Sequence, residues 1–161
     1  MYHWYDTKNR IQGFTLLELL MVIAIVAILL TLAVNYIDTS RSKGSDANVK
    51  ANLKNAMSQA EVYYINQART YTGLCNDQTI GIFKKMQSAK RAFGGATQST
   101  YDVSVASTWQ TEACHDSVTA FAAWVPLKES TPASPVGWCV DSLGVGKKVT
   151  AILASNATQC P

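Results

Sequence analysis

The chain lacks the sequence patterns that mark the common catalytic and cofactor-binding sites. Its 161 residues contain no Gly-x-Ser-x-Gly nucleophile motif, no His-Glu-x-x-His metal motif and no glycine-rich phosphate loop. Histidine is nearly absent, because only His3 and His115 occur. These absences argue against the best-known enzyme classes, and we predict neither enzymatic activity nor a bound cofactor.

Charge is also scarce and nearly balanced. Charged residues make up 16% of the chain, whereas soluble proteins average about 25%. The formal net charge of +3 is too small to drive nonspecific binding to nucleic acid by itself. The composition therefore disfavours a nucleic-acid-binding protein. Separately, the chain outside its one apolar block has the length of a single domain.

That apolar block covers residues 14–34 (FTLLELLMVIAIVAILLTLAV) and contains one charge, Glu18. As a helix with about 1.5 Å per residue it would be roughly 31 Å long, which matches the hydrocarbon core of a bilayer. It is not followed by the small-x-small cleavage site of a secretory signal. The sequence predicts a retained membrane-spanning helix, and the basic residues on both sides leave its orientation open.

Glu18 is the unusual residue of this helix, because a carboxylate inside an apolar span is costly. Its side chain either reaches the nearby membrane edge or has a functional partner. The residues before it, Gly13 to Leu17, complete the run GFTLLE. This run resembles the prepilin motif of type IV pilins and pseudopilins, which has glycine before a cleavage site, phenylalanine after it and glutamate as the fifth mature residue.

The resemblance implies a processing route. A membrane prepilin peptidase would cut between Gly13 and Phe14, remove residues 1–13 as a cytoplasmic leader and N-methylate Phe14. The precursor would be a single-pass inner-membrane protein with its remainder outside. After processing it would join an extracellular pilus or a periplasmic pseudopilus, with copies of itself and an inner-membrane assembly platform as partners.

Filament assembly would depend, by the same resemblance, on Phe14 and Glu18. Cleavage creates a cationic α-amine on Phe14, and Glu18 of a neighbouring subunit would pair with it. In an apolar filament core such a pair fixes the register between subunits. The chain departs from many pilins where it has Asn35 in place of a helix-loosening proline, and we expect any loosening near Gly44-Ser45.

Downstream of the apolar block, apolar residues recur at three- and four-residue steps and extend the predicted helix over 14–67. The head, residues 68–161, is predicted to contain a second helix over about 77–93, capped by Asn76 or Asp77. Short β-prone runs then predict an antiparallel sheet over about 101–153. The predicted fold class is α+β, with a long N-terminal helix packed on a small antiparallel sheet, as in pilins. The predicted strands are 101–105, 118–125, 136–140 and 148–153.

All four cysteines, Cys75, Cys114, Cys139 and Cys160, lie in this head. They form no Cys-x-x-Cys pair and lack the spacing of a zinc site even together with His115, so we predict no metal. An oxidising compartment favours two disulfides, for which three connectivities exist. We expect Cys114 with Cys139 and Cys75 with Cys160, although the predicted hairpin does not place Cys114 directly opposite Cys139.

Two further features have competing interpretations. Asp116 and Asp141 could supply oxygen ligands to calcium, or Asp141 could simply form a turn with the residues that follow it. Asn156-Ala157-Thr158 meets the sequon for N-glycosylation, a pattern too permissive to decide anything.

Three functional classes fit the sequence. The leading one is a structural subunit of a type IV pilus or pilus-like filament. The second is a pseudopilin or minor pilin of a type II secretion or DNA-uptake system, and the third is a single-pass anchored protein that does not polymerise. The sequence leaves open whether a fibre would serve adhesion, motility, DNA uptake or secretion.

Overall fold

The computed structural model describes residues 13–94, 96–98 and 100–161, with the backbone alone described for 32–36. The predicted leader, apart from Gly13, lies outside the described residues. The chain divides into two compact units, one ending at Thr39 and one beginning at Ser40. Each unit is described by itself.

Helix α1 covers Leu16–Asn66 without interruption. It begins two residues later and ends one residue earlier than the predicted range. Thr15 precedes it and accepts a hydrogen bond from the backbone N–H of Glu18 through Oγ1, at 3.2 Å. A threonine followed three residues later by glutamate is the sequence of a capping box, which satisfies backbone donors at a helix N-terminus. Gly44-Ser45, where loosening was expected, is helical.

In the second unit, α1 contributes one face to the core. Its buried residues follow the three- and four-residue spacing seen in the sequence, because residues at those steps share one side of a helix. They pack against the sheet and against the second helix. The buried residues of this face are Val49, Leu53, Ala56, Ala60 and Tyr63.

Helix α2 covers Phe83–Phe93, so the predicted start near residue 77 was wrong by six residues. Asp77 does bind backbone donors, but in a turn: its carboxylate accepts hydrogen bonds from the N–H and hydroxyl of Thr79 and from the N–H of Ile80. These bonds, led by the Thr79 hydroxyl, lower the pKa of Asp77 to about 2. A side chain on Gly81 would lie 2.4 Å from the Leu74 carbonyl oxygen. Position 81 therefore has no room for a side chain, and α2 begins only after this turn.

The head contains a four-stranded antiparallel sheet in the order β1-β2-β3-β4. The predicted α+β fold class, a long helix on a small antiparallel sheet, is confirmed. The predicted strand at 101–105 was wrong, because Asp102 accepts hydrogen bonds from the N–H and hydroxyl of Ser104 and forms a turn. These bonds hold the pKa of the Asp102 carboxyl below its usual range. The strands are β1 (Ala113–Asp116), β2 (Phe121–Pro126), β3 (Gly137–Asp141) and β4 (Gly146–Val149).

Both faces of the sheet are covered. The inner face, with Phe121 and Ala123, belongs to the same buried cluster as α1. The outer face, with Trp124 and Cys139, is covered by the C-terminal segment through Leu153. Every residue of β2 is buried for this reason, and the strand reads as a continuous apolar run instead of an alternating one.

Replacing Gly137 by alanine is expected to destabilise the head by about 1–3 kcal/mol, the usual cost of overpacking a filled core. A Cβ at Gly137 would lie 2.1 Å from Cε2 of Trp124, and Trp124 is fully buried. The measurement is denaturant unfolding of the full chain in detergent. Gly146→Ala is the matched control, because its Cβ would meet nothing closer than Val140 Cγ1 at 3.8 Å; equal stability of the two variants would contradict the prediction.

Candidate functional site

The N-terminal part of α1 presents apolar side chains to solvent on all sides. Between Phe14 and Leu30, thirteen large apolar residues are between 46% and 82% exposed. A helix that is apolar all round requires apolar surroundings. Among the residues whose side chains the structure describes, no helix reaches the length and hydropathy of a membrane span. The predicted span 14–34 includes positions 32–34, whose side chains are outside that description.

Gly13 and Phe14 lie before the first helical residue, Leu16. Phe14 is 77% exposed. A Cβ added to Gly13 would meet nothing within 4 Å, so packing against the described residues gives no reason for a glycine. The peptide bond between these two residues is therefore outside regular structure and accessible.

Glu18 lies in the first turn of α1. A carboxylate there interacts favourably with the helix dipole, and the backbone N–H of the same residue is capped by Thr15. This local role was missed, because Glu18 was interpreted only as an assembly residue or as a side chain that reaches the membrane edge. The signal was present in the sequence as the spacing Thr15-x-x-Glu18.

The disulfides join Cys75 to Cys114 and Cys139 to Cys160, with Cα–Cα distances of 5.7 and 5.8 Å. The expected pairs, Cys114 with Cys139 and Cys75 with Cys160, were wrong. In the sheet, Cys114 of β1 pairs with Ala123 of β2, and Ala123 pairs with Val140 of β3. Val140 is the residue next to Cys139. Because successive side chains of a strand point to opposite faces, Cys114 and Cys139 lie on opposite faces of the sheet.

Asp116 and Asp141 also lie on opposite faces, because they pair with the successive β2 residues Phe121 and Ala122. They do not converge as calcium ligands. Each instead binds the backbone next to a disulfide: Asp116 accepts from the N–H of Cys75 at 2.8 Å, and Asp141 from the N–H of Cys160 at 3.0 Å. Asp141 also accepts from the N–H of Leu143, which confirms its turn.

Asn156, the acceptor position of the sequon, is exposed and has a positive φ of 60°. Its backbone N–H donates to the carbonyl of Val103 at 2.6 Å. The C-terminal segment is thus bonded to the 102–105 turn. The structure gives the sequon no further role.

A buried ion pair lies beside this sheet, between Lys90 of α2 and Glu112. Their side chains are 5% and 1% exposed, with 3.6 Å between Nζ and Oε2. The Lys90 ammonium also donates to the carbonyl of Gln110, and Tyr101 donates its hydroxyl to Glu112 at 3.4 Å. Burial, followed by the charge of Glu112, raises the pKa of Tyr101. No sequence pattern pointed to this pair, since Lys90 is one of several lysines in α2.

Comparison with known proteins places the chain near one family. The model described as the prokaryotic N-terminal methylation motif matches residues 8–34. The chain is 41% identical over 61 residues to the type IV wide pilus major component PilA4 of Thermus thermophilus, a match that covers 38% of this chain and 46% of that protein. The chain thus aligns with less than half the length of this relative, and no solved structure matches it. These matches confirm the resemblance to type IV pilins carried by residues 13–18.

Proposed function

We propose that this chain is a structural subunit of a type IV pilus, cleaved after Gly13, N-methylated on Phe14 and polymerised through the apolar part of α1. The observation that carries the proposal is the match of residues 8–34 to the N-terminal methylation motif, followed directly by a helix that exposes apolar side chains all round. Such a helix is stable in a bilayer, and it is also stable among identical helices in a filament core, because both surround it with apolar groups.

Processing at Gly13 fits the local structure. The bond after Gly13 precedes the first helical residue, so a membrane peptidase can bind this segment in an extended form. Because the glycine has no packing role among the residues that the structure describes, its identity is better explained by an enzyme that recognises it. The product is a new α-amine on Phe14, which is cationic at neutral pH.

Assembly follows from the charges that this processing creates. The amine of Phe14 and the carboxylate of Glu18 are four residues apart, at the start of an apolar helix. In a filament core each needs an opposite charge from a neighbouring subunit, because an unpaired charge in a dry interior costs several kcal/mol. The partners of the chain are therefore further copies of itself, together with the prepilin peptidase and an inner-membrane assembly platform.

The head has a structural role in this proposal, without catalysis. It is held by two disulfides, and each would stabilise it by about 2–4 kcal/mol. Its carboxylates Asp116 and Asp141 are bound by backbone amides next to those disulfides. This arrangement suits a domain exposed outside the cell on a fibre.

Mass spectrometry of material sheared from the native cells, compared with their membranes, tests the proposal. We expect abundant sheared protein that begins at N-methylated Phe14 and carries the Cys75–Cys114 and Cys139–Cys160 linkages in its peptide map. Processed protein confined to the membrane would favour a pseudopilin or minor pilin of a type II secretion or DNA-uptake system. A chain that still begins at Met1 would overturn the proposal and leave a non-polymerising anchored protein.

A further inference from the structure

A groove lies between α1 and the β4 edge of the sheet. It encloses about 360 Å³, and its lining includes Lys50, Lys54, Met57, Trp138 and Val140 together with Gly144 and Gly146. We call it the Lys54 groove. It exists because Gly146, which pairs with Val140 at the sheet edge, has no side chain to fill the space beside α1.

The Lys54 groove combines an apolar floor with unpaired positive charge. Trp138 and Met57 are half-buried and pack on the main core. Lys50 and Lys54 are one helical turn apart, and the ammonium of Lys50 lies 5.3 Å from the centre of the Trp138 ring. Within the described part of the chain, neither lysine is within ion-pair distance of a carboxylate. The groove therefore suits an apolar side chain that is flanked by a carboxylate.

The head presents such a group in the turn 102–105. Val103 and Val105 are 38% and 52% exposed. Among the described residues, the carboxylate of the neighbouring Asp102 is hydrogen-bonded to Ser104 alone, in its own turn. The carbonyls of both valines are held, that of Val103 by the N–H of Asn156 and that of Val105 by His115 at 2.8 Å. The turn is thus preformed, which lowers the entropy cost of docking it.

The two surfaces lie at opposite edges of one sheet. His115, which holds the turn, is in β1, and Gly146, which opens the groove, is in β4. These strands are the two ends of the order β1-β2-β3-β4. One head cannot place its own turn in its own groove, but it can engage a second copy on each side. A contact between two different surfaces of identical subunits propagates as an open series, as in a helical filament.

We propose that the 102–105 turn of one subunit docks in the Lys54 groove of the next, with Asp102 facing Lys54 and the two valines against Trp138. The contact rests on the proposed function, since it joins the heads of a filament whose helices form the core. It identifies the occupant of the groove as a second copy of this chain.

Charge exchange in the native cells tests the contact. Lys54→Glu alone and Asp102→Lys alone should each lower the yield of sheared filaments about tenfold, which corresponds to about 1.4 kcal/mol of lost contact energy. The double variant K54E/D102K should yield more filaments than either single variant, because the pair is reversed and not removed, although lysine at position 102 loses the hydrogen bonds from Ser104. Asp102→Asn is the milder second variant: it keeps a side-chain oxygen for the turn and should reduce the yield without lowering the amount of chain in the membrane.

Lys84→Glu is the matched control, because it reverses an exposed lysine that belongs neither to the lining of the Lys54 groove nor to the 102–105 turn. It should leave the filament yield unchanged. Normal filaments from both single variants, or a double variant no better than either, would overturn the contact while the proposed function stands. A parent chain that forms no filaments at all would overturn the proposed function, and the contact with it.

Discussion

Glu18→Gln is expected to abolish filaments while the processed chain persists in the membrane at its normal level. The substitution removes the carboxylate that would pair with the Phe14 amine of a neighbouring subunit. An unpaired charge in a dry interior costs about 3–5 kcal/mol, and this cost recurs at every subunit added. The measurement is the amount of sheared filament relative to the amount of chain in the membrane.

Glutamine is the informative replacement because it removes the negative charge of residue 18 and keeps the capping interaction at the start of α1. Glutamine serves a capping box as glutamate does, so the hydrogen bond from the residue-18 N–H to Thr15 can persist. Thr15→Val is the matched control, which removes the cap and keeps the carboxylate; the usual cost of a lost cap is about 1 kcal/mol, and we expect filaments to persist. Wild-type filament yield from Glu18→Gln would exclude the charge pair as the assembly device.

Glu112→Gln is expected to be the most destabilising single change in the head. It leaves the ammonium of Lys90 without a counter-charge in a site where its side chain is 5% exposed. Breaking a buried pair in this way costs about 3–5 kcal/mol. For a chain of this size we expect the unfolding midpoint to fall by roughly 10 °C, measured by thermal unfolding of the full chain in detergent.

The chain contains its own control in a second lysine–glutamate pair. Lys148 and Glu129 are 2.6 Å apart, but their side chains are 48% and 50% exposed. Exposed pairs contribute about 0–1 kcal/mol, so Glu129→Gln should move the midpoint little. If the two glutamine variants unfold at the same temperature, burial does not control the strength of the Lys90–Glu112 pair.

Elements with a local signal were predicted well. The spacing from Val49 to Tyr63 predicts one buried helix face, and these residues are buried as that spacing requires. The 130–135 loop joins β2 and β3, which lie close to their predicted positions. Strand β1 was missed because four residues, Ala113–Asp116, carry too few β-prone side chains to stand out.

Elements that depend on distant residues were predicted poorly. The start of α2 follows the Asp77 turn and the hydrogen bond from the Ile82 N–H to the Leu74 carbonyl, which no helix pattern records. The disulfide pairs were wrong because pairing depends on which face of the sheet each cysteine occupies. A shift of one residue in strand register moves a side chain to the other face, and the sequence does not give the register between β1 and β3.

The sequence by itself determined the character of residues 13–34 of this protein. The run from Gly13 to Glu18 and the apolar residues after it are contiguous, and their meaning does not depend on how the rest folds. Only the tertiary structure decided the disulfide pairs, the Lys90–Glu112 pair and the Lys54 groove. Each of these joins residues 21 or more positions apart through strand register and helix packing, which arise from the whole fold and not from any local pattern.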